Sequence, residues 1–140
     1  MNQIIDVGSG NHPMGDVNLD IDPDCKCDTF IHGDAHYLPF RENVFDLARA
    51  IHLIEHTINP VKIIKELYRV SRDQIQIITP HRYSKISRHS DHKYSFNTIW
   101  FENVFRMLRI ESYQIRVSVS LFSRPHEIKI DIKKKYGKNS

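Results

Sequence analysis

Cysteine is scarce. The chain of 140 residues has two, Cys25 and Cys27, one residue apart. Neighbours that close along a strand point to opposite sides, so a disulfide between them is not expected, and two thiols alone cannot complete a zinc site. Such thiols fit a reducing compartment, and a cytoplasmic location is expected. No apolar run approaches the length of a membrane span, so no membrane association is expected. The opening MNQIIDVGSG has no basic segment ahead of an apolar stretch, which argues against a secretory signal. Charge of one sign is also lacking: a formal net charge of +3 is too small to argue for nucleic acid by itself. Repeats and low-complexity tracts are absent too. What is present is the ordinary balance of a globular protein, 40% apolar and 26% charged, which suits one domain spanning 1–140 with one core. The tail 133–140 is polar and expected to fray. Histidine is the exception to this plainness: nine residues can each gain charge below neutral pH.

Strand and helix signals alternate along the chain. Ile4-Ile5-Asp6-Val7 runs into Gly8-Ser9-Gly10, a strand entering a tight turn. Val17 to Asp20, Thr29 to His32, Phe45 to Ala50 and Ile75 to Thr79 read as further strands. Asn59 can cap a helix with Pro60 in its first turn and an apolar stripe of Ile63, Ile64, Leu67 and Val70. A second helix from about Thr98 to Leu108 would bury Trp100, Phe101, Val104, Phe105 and Leu108. Between the two lies a long polar, basic and His-rich loop, 81–97.

Alternation fixes the number of layers. Tyr113, Ile115, Val117, Val119 and Leu121 share one face, opposed by Gln114, Arg116, Ser118 and Ser120. Ile128, Ile130 and Ile132 are opposed by Glu127, Lys129, Asp131 and Lys133, and Gln74 and Gln76 alternate with Ile75 and Ile77. Period-two patterns mean one buried and one wet face. The first two strands also follow each other too closely for a helical crossover, which needs a dozen or more residues. The expected fold is therefore α/β, a Rossmann-like, mostly parallel sheet with an antiparallel C-terminal hairpin and helices mainly on one face.

The chemistry concentrates at the strand ends. Asp6 precedes Gly8 and Gly10, glycines that permit a tight turn and close backbone approach to a ligand. Asp20, ending the next strand, is placed to accept both hydrogen bonds of a ribose diol, and Asp34, after the third, to accept from an adenine amino group. Phosphate-binding readings fail. Gly10 to Gly15 has P-loop glycine spacing, but Asp16 stands where lysine is required, and Pro13 replaces the third glycine of G-x-G-x-x-G. The short connection also lacks the helix whose N-terminus would hold a pyrophosphate.

IIDVGSGNHP, VNLDIDP, GDAHYLPF, FDLARAIHLIEHTINPVKIIKELYRVSR and IQIITPH, in that order, resemble the successive motifs of class I S-adenosylmethionine-dependent methyltransferases, in a short, type-11-like form. The resemblance implies S-adenosyl-L-methionine as cofactor. It places Asp6, Gly8, Ser9 and Gly10 around the methionine part, Asp20 at the ribose, Asp34 and Ala35 at the adenine, and Ile51 and His52 beside the sulfonium. It also shows which of the family's usual helices are missing: those before the first strand and after the first and second. Methyl transfer needs chiefly positioning and exclusion of water. Should the acceptor have a proton to lose, the histidines that could take it are His52, His56, His81, His89 and His92, of which His52, His81 and His92 are the foremost candidate bases.

Other readings remain beside this one. A non-catalytic binding or partner subunit could keep the same fold. His52-Leu53-Ile54-Glu55-His56 matches the H-x-x-E-H zinc pattern, which on a helix would put both histidines on one face of a small zinc hydrolase; the family resemblance already accounts for the segment, and no metal ligand is assigned. Arg82, Lys85, Arg88 and Lys93 make the long loop basic, fit for an anionic or nucleic-acid substrate, with Tyr83 and Tyr94 placed either to stack on a base or to pin the loop. The methyl acceptor and the oligomeric state are not readable.

Overall fold

In the computed structural model, which describes residues 2–84, 91–119 and 125–135, the strands are β1 Ile4–Val7, β2 Val17–Asp20, β3 Phe30–His32, β4 Phe45–Ile51, β5 Ser71–Pro80, β6 Tyr113–Val119 and β7 Pro125–Lys133. They form one sheet in the order β3-β2-β1-β4-β5-β7-β6. The first five run parallel, β7 runs antiparallel to β5, and β6 antiparallel to β7. This is the Rossmann-like sheet with a C-terminal hairpin that the residue patterns predict.

Two α-helices are present among the described residues, α1 Pro60–Val70 and α2 Thr98–Leu108. Both are capped by asparagine. Asn59 Oδ1 accepts the Lys62 N–H at 3.0 Å and Asn97 Oδ1 accepts the Trp100 N–H at 2.9 Å, satisfying donors that a helix start leaves open. Ile63, Ile64, Leu67 and Val70 of α1 and Phe101, Val104 and Phe105 of α2 join one core with Ile5, Ala48, Ile75 and Ile132, which are register partners across β1, β4, β5 and β7. Helices therefore lie on one face of the sheet. On the other face Asn18, Asp6, Arg49, Gln76, Asp131 and Gln114 are register partners in turn.

The buried face of β6 is shorter than its alternation suggests. Tyr113 packs its ring 4.7 Å from Phe105 of α2, and Ile115 is half-buried, but Val117 and Val119 are exposed. β6 is an edge strand, and α2 covers only its first residues; Leu121 lies outside the described residues. Trp100 and Leu108 are half-buried rather than core. At the other end of the hairpin, Lys133 closes β7 and the Lys134 ammonium donates to Asn43 Oδ1, Tyr68 O and Ser71 O at 2.8–2.9 Å.

A buried clamp fastens the segment between β3 and β4 to α1. Glu66 accepts the Leu38 N–H at 2.8 Å and two bonds from Arg69, whose guanidinium also donates to Phe40 O and Leu38 O. The Arg69 guanidinium beside Glu66 holds its carboxyl below the usual range.

Candidate functional site

The turn after β1 begins where the buried Ile5 and Val7 end. Gly8 takes φ +73° and its N–H donates to Leu19 O at 2.7 Å, a conformation that glycine alone adopts without strain. A Cβ there would lie 2.8 Å from Leu53 Cδ1, so the bare backbone keeps the space beside it open. No helix follows. The connection back to β2 is a loop whose backbone donors are satisfied by side chains: Gly10 N–H by Asp20 Oδ2 at 2.8 Å, Met14 N–H by Asp6 Oδ2 at 2.9 Å, and Gly15 N–H by Asn18 Oδ1 at 2.9 Å. Burial pushes the Asp6 carboxyl up, while the Met14 N–H and Arg49 oppose that rise.

The carboxylates at the next two strand ends are similarly anchored. Asp20 Oδ1 accepts the Asp22 N–H at 2.9 Å. Asp34 Oδ1 accepts the His36 backbone N–H at 2.8 Å and lies 2.7 Å from His36 Nδ1; these bonds hold its carboxyl below the usual range. His36 Nε2 in turn accepts the Asn59 N–H at 3.2 Å. An imidazole that accepts at Nε2 must donate from Nδ1, so the tautomer is set and the third strand end is tied to the cap of α1.

Between these elements lies a crevice of about 260 Å³, walled by Gly8, Leu19, Asp20, Asp34, Ala35 and Leu53, with Ile21, His36, His56 and Lys93 also lining it. Of the residues singled out in the sequence, Gly8, Asp20, Asp34 and Ala35 line this space. Asp6, Ser9, Gly10, Ile51 and His52 stand outside its lining: Asp6 and Gly10 build the loop, and Ser9 and the Gly10 carbonyl face the Cys25 thiol, 3.8 and 3.0 Å from its sulfur. Both cysteines are free thiols. Sequence reasoning missed Leu53 and Ile21. Ile21 had a readable signal, a large apolar residue directly after an acidic strand end, and it is 67% exposed.

The candidate bases occupy different surroundings. His52 takes φ +51°, its N–H donates to Ile78 O at 2.8 Å, and its ring is half-exposed between Glu55 and Glu127. The Glu55 carboxylate beside it raises its pKa against the effect of burial. Positive φ at His52 breaks any helix through H-x-x-E-H; only a short 3-10 turn, Ile54–His56, forms. His81 is buried, bridges to Phe96, and its Nδ1 accepts the Tyr83 N–H at 3.2 Å; burial lowers its pKa. His92 packs its ring 4.6 Å from that of His56. The second part of the basic loop is tied to the crevice wall: Lys93 and Tyr94 N–H donate to Glu55 O, and Tyr94 Oη donates to Ile58 O at 2.8 Å. Tyr94 thus pins the loop, whereas Tyr83 is exposed. Lys85, Arg88 and His89 lie outside the described residues.

Successive parallel strand ends bring a bare-backbone turn, Asp20 and Asp34 around one mostly apolar crevice, at the carboxyl ends of the strands where open α/β sheets bind their ligands. Residues 16–78 match the family model described as a methyltransferase domain, type 11. The fold is that of the S-adenosylmethionine-dependent methyltransferases. One from Thermotoga maritima superposes with TM-score 0.76 at 15% identity, covering 96% of this chain and 83% of that one. The YcgJ protein of Bacillus subtilis gives 0.75 at 12%, covering 97% and 93%. An arsenic(III) S-adenosylmethionine methyltransferase from Chlamydomonas reinhardtii gives 0.78 at 14%, covering 97% and 64%. At these identities the likeness is one of fold. A search of curated proteins finds no match. A methyltransferase domain on this fold implies S-adenosyl-L-methionine as the cofactor. Among the described residues no helix is long and apolar enough to cross a membrane.

Proposed function

We propose that the chain is an S-adenosylmethionine-dependent methyltransferase whose crevice holds the adenosine part of the cofactor. The observation that carries this reading is the convergence of Gly8, Asp20, Asp34 and Ala35, from three separate strand ends, on one apolar space. The missing Cβ of Gly8 keeps that space open against Leu53. Asp20 and Asp34 present carboxylates suited to ribose hydroxyls and an amino group, and each retains lone pairs beyond the bonds described above. Ile21 and Leu53 supply apolar contact for a planar base. When bound, the cofactor supplies a methyl group on a positively charged sulfur.

The chain's own part in the reaction is to bind, orient and exclude water. Among the candidate bases, His92 packs against His56, which lines the crevice, His52 lies beside Glu55 next to it, and His81 is buried outside the lining, its pKa lowered by burial. The compartment we infer is the cytoplasm, in keeping with the two free thiols. Lys93 at the rim and the exposed Arg82 favour an anionic acceptor, nucleic acid included.

Isothermal titration with S-adenosylmethionine tests the reading. The wild type should bind one equivalent, and Asp20→Ala and Asp34→Ala should each weaken binding by about 10-fold, the loss of one charged hydrogen-bond acceptor. Absence of binding at millimolar ligand would rule it out. Binding without label transfer from methyl-labelled cofactor to any acceptor in a cell extract would favour the non-catalytic partner subunit instead. One observation points that way: Asp6 is committed to the loop through Met14 rather than to the crevice.

A further inference from the structure

The H-x-x-E-H segment does not form the helical zinc pattern, yet it meets a third histidine from across the fold. Glu55 sits on the 3-10 turn with its side chain 2% exposed. Thr79 Oγ1 of β5 donates to its Oε2 at 3.1 Å, which fixes the carboxylate and turns Oε1 toward imidazoles. Oε1 is buried and accepts no hydrogen bond among the described residues. That is a costly state for a carboxylate oxygen. His56 Nε2 lies 3.9 Å from it, too far for a hydrogen bond. The other nitrogen, His56 Nδ1, is 3.3 Å from the Asp91 carbonyl. A carbonyl can only accept, so Nδ1 is the nitrogen that donates there, and Nε2 is the one turned toward Glu55.

His52 repeats the arrangement, with Nε2 2.9 Å from Glu127 Oε1 and Nδ1 3.4 Å from Glu55 Oε1. Imidazoles whose outer nitrogen is engaged by a carbonyl or carboxylate, and whose inner nitrogen faces a carboxylate oxygen, are arranged as metal ligands are. Glu55, His56 and His92 each bring one ligand atom within 4.8 Å of the other two. The backbone bonds from Lys93 and Tyr94 to Glu55 O hold His92's segment against the turn. Tetrahedral ligands about 2.0–2.2 Å from an ion lie roughly 3.4 Å apart, so the part-exposed imidazoles must swing inward by up to about 1.4 Å from the separations present.

We propose that Glu55, His56 and His92 form a binding site for a divalent first-row transition cation, with His52 beside it. Imidazole with carboxylate suits zinc, iron, cobalt or nickel rather than magnesium or calcium. The site stands whether or not the crevice takes S-adenosylmethionine. Because His56 also lines that crevice, the ion would border it, and three protein ligands leave coordination positions for water or an acceptor oxygen.

The test uses untagged full-length protein, stripped with chelator, titrated with zinc chloride by calorimetry and with cobalt chloride by visible absorption. The expected result is saturable one-to-one binding in the micromolar range or tighter, with a ligand-field band for cobalt. His56→Ala, His92→Ala and Glu55→Gln should each weaken binding by at least ~10-fold, with thermal melting of the two histidine variants in chelator unchanged. Should His92→Ala fail to fold, His92→Phe keeps a ring against His56 and removes the ligand nitrogen. Absence of saturable zinc binding, or binding that neither histidine replacement weakens, overturns the proposal. S-adenosylmethionine binding, measured on the same stripped protein, is a separate readout, so failure of either reading shows independently.

Discussion

On one face of the sheet Ile5, Ala48, Ile75 and Ile132 lie side by side beneath α1 and α2; on the other, Asn18, Asp6, Arg49, Gln76 and Asp131 lie side by side with no described helix above them. The first row is held by burial. The second is held by hydrogen bonds, many of them to loop backbone: Asn18 to Gly15 and Thr29, Asp6 to Met14, Gln76 and Arg116 to Asp131. The polar row takes the place of a helical layer. A helix would satisfy its own backbone donors; the short loop from Gly8 to Asp16 cannot, and buried donors must be paired. Asp6, Asn18 and Asp20 pair them. The crevice needs only the strand ends and the turn between them, so the fold can lose a layer on one face and keep its site.

That contrast can be broken at graded cost. The largest loss is expected on the covered face, where Ile77→Ala should lower unfolding free energy by about 2–5 kcal/mol in denaturant titration. Glu66→Ala, which strips the clamp between α1 and the segment after β3, should cost about 1.5–3 kcal/mol. The same clamp carries a pH signature. Arg69 depresses the Glu66 pKa, so its stabilisation is present above the ordinary value of 4.5 and is lost as pH falls through the lower folded value; acid melts of the wild type and Glu66→Ala should converge there. Gly8→Ala should cost about 1–2 kcal/mol for its positive φ and, by pushing on Leu53, weaken cofactor binding more than stability. The smallest effect belongs to the open face: Arg116→Ala, which removes a part-exposed pair with Asp131, should change stability by about 0–1 kcal/mol.

The same division explains what the sequence reveals and what it hides. Period two in Gln74 to Ile77 and in Glu127 to Lys133 announces a two-layer sheet, because alternation records which face is wet. Asn59-Pro60 and Asn97 announce both helix starts through their capping chemistry. Gly8, Asp20, Asp34 and Ala35 are legible as crevice lining because the crevice of such a sheet forms at its strand ends. Asp6 has a role the sequence hides: with no helix after β1, its carboxylate accepts the Met14 N–H, a demand visible only once the loop path is known. Val117 and Val119 look core-facing by alternation, yet α2 is too short to cover them. The meeting of His56 with His92, thirty-six positions apart in the chain, is a tertiary contact that no local pattern encodes.

The most direct test of the account follows backbone amide signals during titration with S-adenosylmethionine. The account predicts saturable shifts clustered at Gly8, Asp20, Ile21 and Gly33 to Ala35, with Gln76 and Lys129 on the open face unmoved. Shifts centred on that open face, or no shifts at millimolar cofactor, would contradict it.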